Sequence, residues 1–551
     1  MSASRSGQES GTTASDDPGL PRNSSRYVFG AFWALLFLGT FLVAGPWAGF
    51  HGILLGCVGL LMLLFPPVVT LPRLWWGLAA GFVVLGAAPF LPCGWFAQPE
   101  WRRQLEALGL QTGPLVAIQA RQAAEMLSLF AIMLFAGLWL AGHRPVSSQL
   151  RLWALAFTLG VACYAVLSKI TQHSLLGLQA GGGSHFGFFP NRNHTATYLA
   201  MGAICGLGNV LQALRDKRFL SMSVALAATS VCLWAVAGWS VSRGGVILVA
   251  AGCLIWLPMI GWHYLGKNGL RALALLALAV TGLFFIADSG VKERITKTVE
   301  KAGSVIGSED QATSEAGKPV VESSLDFDFR IPTALDTLGL IRDFKWTGIG
   351  AGQFYYVFPQ YKNHTAGAND SDSYHPESDW LWMASEAGIP ATLALVALLI
   401  LAFRKSLVAI LAGRDRALRS ACLVAAMLVP IHGLFDVPGH RITLAWSAAF
   451  LFSLSLRPLP YGALRPAPRA WLFRLAALVL LSASAFLIRA QWWGGPQPAL
   501  VAGDLACTRA FDLYRKDQAR QKAAQAAGQS YAPTPEDDLL EQALVPLDEA
   551  S

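Results

Sequence analysis

Charged residues are scarce in this chain of 551 residues. Asp, Glu, Lys and Arg make up 14% of it and hydrophobic residues 54%, and the mean hydropathy is +0.45. Because soluble domains carry about 25% charged residues, this shortage excludes an ordinary soluble globular protein. The apolar residues occur instead in runs of about 20 residues, the length that a helix needs to cross a bilayer.

Metal-ligand patterns are also absent. Two of the eight cysteines, Cys93 and Cys507, lie outside the apolar runs and are candidates for pairing with each other. The other six lie within apolar runs, where cysteine behaves as a small hydrophobe: Cys57, Cys163, Cys205, Cys232, Cys253 and Cys422. No cysteine spacing is typical of zinc, and the nearest approach to a tight carboxylate cluster is Asp370 with Asp372. We therefore expect no metal ion and no other cofactor.

The apolar runs predict an all-α polytopic membrane protein with about 12–13 transmembrane helices and one large extracytoplasmic loop. The runs cover residues 27–45, 49–66, 74–92, 122–142, 151–170, 195–214, 220–240, 244–265, 270–288, 380–403, 419–436, 440–457 and 470–488.

This pattern divides the chain into five regions. Residues 1–25 form a polar tail expected to be disordered and cytoplasmic. Transmembrane helices occupy 26–289 and 380–488, and between them residues 290–379 form the large periplasmic loop with the active-site elements. Residues 489–551 form a periplasmic tail whose end has the pattern of the start of a helical-repeat domain.

The basic residues in the connections orient these helices. With a cytoplasmic N-terminus, the connections on the cytoplasmic side hold most arginines and lysines, whereas the short outer connections hold only Arg243 and Arg441. This positive-inside bias places the large loop and the C-terminal tail on the outer side of the membrane, which is the periplasm if the source is a Gram-negative bacterium. Loops that face anionic membrane lipid account for the net charge of +8, so no nucleic-acid partner is expected.

A polar segment leads into the sixth predicted helix. In FGFFPNRNH, the residues Asn191, Arg192, Asn193 and His194 stand at the outer end of that helix. A helix cap requires one asparagine, so these four side chains exceed what capping needs. We expect them to bind a polar ligand at the membrane surface, with capping alone as the alternative.

Two arginines are functional candidates. Arg243, in SVSRGG, stands at a helix junction in apolar surroundings, where a charge is costly and usually functional; the alternative is a side chain that snorkels to lipid headgroups. Arg330 precedes the glycine-patterned turn TGIGAGQF, which lacks the preceding strand of a dinucleotide-binding fingerprint. The planar guanidinium fork of Arg330 suits phosphate oxygens; the alternative is an ordinary surface residue.

The candidate acid–base residues precede the tenth predicted helix. A neutral His375 can accept a proton from an acceptor hydroxyl, and the neighbouring Glu377 and Asp379 are expected to raise its pKa. The alternative is an interfacial histidine that binds lipid or loop. A later cluster is expected to support the site without contacting substrate: His432, Asp436, His440 and Arg441.

In their order, these segments resemble the O-antigen ligase and O-antigen polymerase superfamily. The resemblance covers about residues 185–400 and rests on FGFFPNRNHTATYLAM, SVSRGGVIL, DFDFR with TGIGAGQF, and the start of the helix after His375. It implies a membrane glycosyltransferase without metal or nucleotide-sugar requirement. Such an enzyme moves a glycan from an undecaprenyl-pyrophosphate carrier to a lipid, sugar or protein acceptor. By this similarity, Arg243 and Arg330 would hold the pyrophosphate, and His375 would activate the acceptor.

One departure leaves the base open. The family commonly has asparagine after the histidine, whereas this chain has Pro376 and then Glu377. The base is therefore His375 alone or one that shares the task with Glu377 or Asp379. The rival function is a polysaccharide or lipid transporter or flippase, which would place ionisable groups at mid-bilayer. Here the middles of the predicted helices are nearly free of charge.

Overall fold

Helices dominate every part of the chain that the computed structural model describes. The described residues are 24–42, 48–67, 71–100, 103, 120–143, 147–171, 174–175, 178–179, 186–189, 191–260, 330–362, 375–411, 413, 415–456 and 470–492. The predicted helix at 270–288, most of the large loop before Arg330, residues 1–23 of the N-terminal tail and the C-terminal tail from 493 lie outside this description. The proposed pairing of Cys93 with Cys507 lies outside it too, and the five-region division stays a prediction.

Fourteen α-helices are present among the described residues. They are α1 (Ser24–Leu42), α2 (Ala48–Leu64), α3 (Arg73–Gly86), α4 (Ala120–Ala141), α5 (Ser147–Ile170), α6 (Arg192–Arg215), α7 (Phe219–Trp234), α8 (Arg243–Ile260), α9 (Arg330–Asp343), α10 (Phe354–Val357), α11 (Asp379–Leu411), α12 (Arg416–His432), α13 (Ile442–Ser455) and α14 (Ala470–Trp492). Two-residue strands, β1 (Ser174–Leu175) and β2 (Leu178–Gln179), pair antiparallel.

The predicted fold class is confirmed: the protein is an all-α polytopic membrane protein. Six helical segments among the described residues are long and apolar enough to cross a membrane, and five shorter apolar segments accompany them. Several predicted boundaries differ by a few residues, and one difference affects the site. The run at 419–436 is helical only to His432, so Asp436 lies in the connection between α12 and α13 rather than in a helix. Gly433 follows His432 and ends the helix.

The chain divides into two units, Met1–Pro46 with Leu54–Leu481, and Trp47–Ile53 with Ser482–Ser551. All residues discussed below belong to the first unit. Its most enclosed span is α6, in which 78% of the apolar window is buried, compared with 22–50% in the other five spans. A glycine explains the close approach of α12 to α6, because a Cβ at Gly208 would overlap the Cβ of Ala421.

The glycine-patterned turn docks on a break in α11. Helix α11 is interrupted at Gly388, with φ 80° and ψ 163°, and Pro390 follows. Three backbone bonds join the turn to this break: Ile349 N–H to the Ser385 carbonyl (3.0 Å), Gly350 N–H to the Glu386 carbonyl (2.9 Å) and Ile389 N–H to the Lys345 carbonyl (2.9 Å).

A buried carboxylate completes this junction. The side chain of Glu386 accepts hydrogen bonds from Gly352 N–H (2.8 Å) and Phe354 N–H (3.2 Å), at the start of α10. The N–H groups of Gly350 and Gly352 are therefore used within the protein. The turn joins the segment that carries α9 to α11, and its glycines serve packing rather than ligand binding.

Replacing Gly348 by alanine is expected to lower stability by about 1–3 kcal/mol. Gly348 has φ 68°, and an added Cβ would overlap the backbone carbonyl of Glu386. The matched control is Gly77→Ala in α3, where a Cβ would meet nothing within 4 Å. Thermal unfolding in detergent should show a lower midpoint for Gly348→Ala only. Equal midpoints in the two variants would contradict this account of the turn.

Candidate functional site

A buried carboxylate, that of Asp436, lies at the centre of the predicted polar residues. Its side chain is fully buried. Oδ2 accepts a hydrogen bond from Asn193 Nδ2 (2.8 Å), and Oδ1 accepts from His194 Nε2 (3.0 Å) and from Val437 N–H (2.7 Å). Because a carboxylate only accepts, His194 carries its hydrogen on Nε2. These bonds fix the start of α6 to the connection between α12 and α13.

Two further groups reach the same carboxylate. Arg330 Nη2 lies 3.4 Å from Asp436 Oδ2, and His432 Nε2 lies 3.9 Å from it. His432 is itself positioned by a 2.7 Å hydrogen bond between its Nδ1 and the Thr197 hydroxyl. Burial alone would raise the pKa of Asp436, but the hydrogen bond from His194 and the nearby histidines lower that pKa below its usual range. Asp436 is therefore ionised at neutral pH.

The predicted residues at the start of α6 have different contacts. Asn193 and His194 bind Asp436, as described above. Asn191 caps the helix, because its Oδ1 accepts a hydrogen bond from Asn193 N–H (2.8 Å). Arg192 is exposed. The capping alternative is thus correct for Asn191, whereas Asn193 and His194 take part in the polar cluster.

Arg243 lies beside this cluster at the start of α8. The preceding Ser242 donates its hydroxyl hydrogen to Asn193 Oδ1 (2.9 Å) and accepts a hydrogen bond from Gly245 N–H (3.2 Å). The backbone here is unusual, since Val241 has φ 47° and a π-helical turn, Ala235–Trp239, comes just before it. A β-branched residue in this conformation is strained, and such strain is found at functional sites.

His375 and Glu377 lie next to Arg330. Glu377 Oε2 is 3.5 Å from Arg330 Nε, and Glu377 Oε1 is 3.3 Å from His375 Nδ1 without meeting hydrogen-bond geometry. The side chains of His375 and Glu377 are each 20% exposed, and that of Arg330 is 44% exposed. Glu377 has a positive φ of 55°. Arg330 therefore bridges Glu377 and Asp436 while part of it stays open to solvent.

The pKa of His375 is lower than its neighbours in sequence predict. Burial, together with the positive charge of Arg441, lowers the pKa of His375 to about 4. Burial also raises the pKa of Glu377, although Arg330 opposes this. The expectation that adjacent carboxylates raise the pKa of His375 is therefore wrong: the carboxylate that raises it is Asp436, and desolvation outweighs that attraction. At neutral pH, His375 is an uncharged imidazole that can accept a proton.

Asp379 is engaged with the connection between α12 and α13. Its carboxylate accepts hydrogen bonds from Gly439 N–H (2.7 Å) and from His440 Nδ1 (2.6 Å). Its own N–H donates to the carbonyls of Gly433 (2.9 Å) and Asp436 (3.1 Å). These contacts suit a residue that positions the start of α11 against the connection between α12 and α13, which carries Asp436. The catalytic role predicted for Asp379 stays a prediction.

An aromatic ring contacts both histidines of this region. The Trp382 ring stacks on His440 with centroids 3.8 Å apart, and its centroid lies 5.4 Å from that of His375. The sequence reasoning treated Asp436 and His440 as support and gave Trp382 no role. Ionisable residues at the turns between apolar helices were the available signal, but their pairing across 60 or more residues was not readable from the sequence.

The cluster joins cationic and proton-accepting groups. Arg330 offers donors to an anion, and neutral His375 with Glu377 can take a proton from a hydroxyl group. Within the described residues, no group of three or more His, Cys, Asp or Glu side chains has the arrangement of a metal site. The arrangement suits a transfer reaction in which an anion leaves and a hydroxyl group loses its proton.

One known family model matches part of the chain. Residues 228–396 match the family model Wzy_C, described as O-antigen ligase. This match confirms the resemblance to the O-antigen ligase superfamily, over less than a third of the chain. The matched segment contains Arg243, Arg330, His375 and Glu377 and ends before Asp436. The family and the membrane helices together indicate a multi-pass membrane glycosyltransferase of the O-antigen ligase or polymerase type. No curated protein matches the chain.

The low pKa of His375 predicts how stability depends on pH. The unfolded residue binds a proton near pH 6.5, whereas the folded one does so only near pH 4. The unfolded state therefore binds more protons between these values, so stability is lost as the pH falls from about 6.5 to about 4. For a shift of this size the loss is at most about 3 kcal/mol.

The variant His375→Gln should not show the loss of stability that the low pKa of His375 causes. Its thermal midpoint should therefore fall less steeply between pH 6.5 and pH 4. The raised pKa of Glu377 acts with the opposite sign and remains present in both proteins. The exposed control variant Glu100→Gln should keep the wild-type slope. Identical slopes for His375→Gln and the wild type would contradict a buried neutral histidine.

Proposed function

We propose, from the match of residues 228–396 to the O-antigen ligase family model, that this protein transfers a glycan from an undecaprenyl-pyrophosphate carrier to an acceptor hydroxyl group. We place the reaction on the periplasmic face of a bacterial inner membrane, with the N-terminus in the cytoplasm. The observation that carries this proposal is the junction of Arg330 with Glu377, His375 and Asp436 in a bundle of membrane helices.

Arg330 and Arg243 are assigned to the pyrophosphate. The contacts of Arg330 with Glu377 and Asp436 hold its guanidinium by Nε and Nη2, so the fork has a fixed orientation before substrate binds. A preorganised cation in a low-dielectric site stabilises developing negative charge more than a solvated one does. Arg243 is linked to the cluster by the preceding Ser242, which bonds to Asn193, and Asn193 in turn bonds to Asp436. Since the arginines supply the positive charge, the proposal assigns no metal ion to the reaction.

His375 is assigned as the base. The acceptor oxygen attacks the anomeric carbon, the bond from that carbon to the pyrophosphate oxygen breaks, and the hydroxyl proton passes to His375. The bound pyrophosphate adds negative charge nearby and raises the pKa of His375 from about 4 towards the range that suits a general base. Glu377 then stabilises the imidazolium. A single displacement of this kind inverts the anomeric configuration.

Lysine substitutions at the two arginines test the proposal. Arg330→Lys and Arg243→Lys should each reduce transfer by about 10- to 100-fold, because an ammonium group cannot reproduce the bidentate fork. The control is Arg342→Lys in the same helix as Arg330, where the side chain is 83% exposed. The assay uses purified protein in liposomes with a synthetic polyprenyl-pyrophosphate glycan and an acceptor, in the presence of EDTA, and detects the product by mass spectrometry.

Full activity in both lysine variants would leave the arginines a structural role only. Activity that EDTA abolishes and Mg²⁺ or Mn²⁺ restores would overturn metal independence. Movement of the carrier across the bilayer without cleavage of its glycosyl bond would favour the rival transporter.

Paired substitutions distinguish the candidate bases. His375→Gln should reduce turnover by roughly 10²–10⁴-fold while carrier binding and the amount of folded protein remain unchanged. Glu377→Gln should have a smaller effect, because Glu377 supports the charged histidine. Asp379→Asn should lower the thermal midpoint and transfer together, because it loosens the connection that holds Asp436. If Glu377→Gln is inactive and His375→Gln turns over near the normal rate, the base is the carboxylate.

A further inference from the structure

An apolar cavity of about 280 Å³ borders the polar cluster. It lies between α3, α4, α11, α12 and α13, and its wall includes Phe82, Phe130, Leu398, Val429 and Ala448, one from each helix in that order. Its polar residues are few and come from two segments that also build the candidate site: Asp379 with Trp380, and Gly439 with His440.

The surroundings of the cavity restrict what can occupy it. Two of its helices, α3 and α11, lie in segments long and apolar enough to cross a membrane, so its body lies among membrane-spanning helices. An occupant there must be largely apolar, since unpaired polar groups are costly in such surroundings. A volume near the lower end of the usual range for ligand pockets, about 300–1,000 Å³, suits a hydrocarbon chain and not a glycan.

The polar end of the cavity contains an incomplete hydrogen-bonding pair. His440 Nδ1 lies 2.6 Å from Asp379 Oδ1, and because a carboxylate only accepts, Nδ1 donates this hydrogen bond. In the neutral ring, Nε2 is therefore an acceptor. The His440 side chain is only 5% exposed, and its Nε2 has no hydrogen-bonding partner among the described residues. A buried acceptor of this kind costs stability unless a ligand supplies a donor.

The charged groups at the polar end of the cavity indicate which kind of lipid head group fits there. Asp379 places a carboxylate at the rim of the cavity, and no arginine or lysine is among the lining residues to balance a pyrophosphate, whereas the paired His440 can accept a hydrogen bond from a hydroxyl group. The arginines assigned to pyrophosphate do not line the cavity. The two regions are nevertheless adjacent, because Asp379 N–H donates to the carbonyl of Asp436 (3.1 Å), whose side chain contacts Arg330.

We propose that the cavity holds a hydrocarbon chain of the acceptor, an amphiphilic lipid whose uncharged, hydroxylated head group donates a hydrogen bond to His440. This inference rests on the proposed function. Among the possible acceptors, which are a lipid, a sugar or a protein, it selects a lipid. The head group then lies beside the carrier's pyrophosphate and near the Trp382 ring, which contacts both His440 and the proposed base His375.

A photolabelling experiment tests the cavity directly, without requiring turnover. The probe is an alkyl glucoside with a diazirine in its alkyl chain, applied to the full-length protein in liposomes. Labelled peptides from α4 and α13 are expected, and Ala448→Phe, which fills the cavity, should reduce this labelling at least fivefold. The matched control is Ala80→Phe, on an exposed position of α3 that does not line the cavity. Equal labelling in the wild type and Ala448→Phe would overturn the proposal.

The second arm uses a polyprenyl pyrophosphate with a diazirine in its chain. Its labelling should be unaffected by Ala448→Phe. If it labels the same peptides and loses that labelling in Ala448→Phe, the cavity belongs to the carrier and the inference is wrong. Since labelling is independent of transfer, a failure of the proposed glycosyl transfer is distinguishable from a failure of the acceptor assignment.

The third arm tests the head group. Wild-type protein should bind the glucoside probe at least fivefold more tightly than its fully O-methylated analogue, and His440→Phe, which keeps the aromatic stacking but lacks Nε2, should bind both equally. A preference that persists in His440→Phe would overturn the role of His440.

Discussion

The candidate site depends on one buried negative charge. A carboxylate removed from water must be surrounded by hydrogen-bond donors, and Asp436 obtains them from the start of α6, from the start of α9 and from Val437 N–H in its own connection. These elements are far apart in the chain, so the charge specifies their relative positions. Arg330 is held in place largely because this carboxylate is ionised.

The same arrangement moderates the charge of the site. Arg330 is shared between Glu377 and Asp436, so its positive charge is partly balanced while no anion is bound. An incoming pyrophosphate competes with these carboxylates for the guanidinium. The site therefore does not act as an unshielded cationic surface; it favours an anion that can contact the preoriented fork at close range.

Hydropathy and charge were sufficient to predict the class of fold and the apolar helices that the structure describes, whereas the family was predicted from the order of its motifs. Hydropathy and charge also selected the residues that meet around Asp436, because costly polar groups in apolar surroundings stand out in a sequence. The central position of Asp436 and the docking of the turn at Gly348 on α11 were not readable from the sequence. Hydrogen bonds between segments tens or hundreds of residues apart leave no local pattern. The pKa of His375 was likewise set by burial, which its neighbours in sequence do not reveal.

The break in α11 at Gly388 separates the part of that helix that contributes to the polar cluster from the part that forms an apolar span. Its first part carries Asp379 and Trp382 and is held by the turn that contains Gly348, whereas its second part runs on as an apolar span. Since the regular hydrogen-bond ladder does not run through the break, bending there costs less than bending a continuous helix. The turn, however, also binds Ile389 N–H beyond the break through the Lys345 carbonyl, so the break is a braced joint. Tilting of the apolar part with the thickness of the bilayer has to strain these bonds before it displaces the polar cluster.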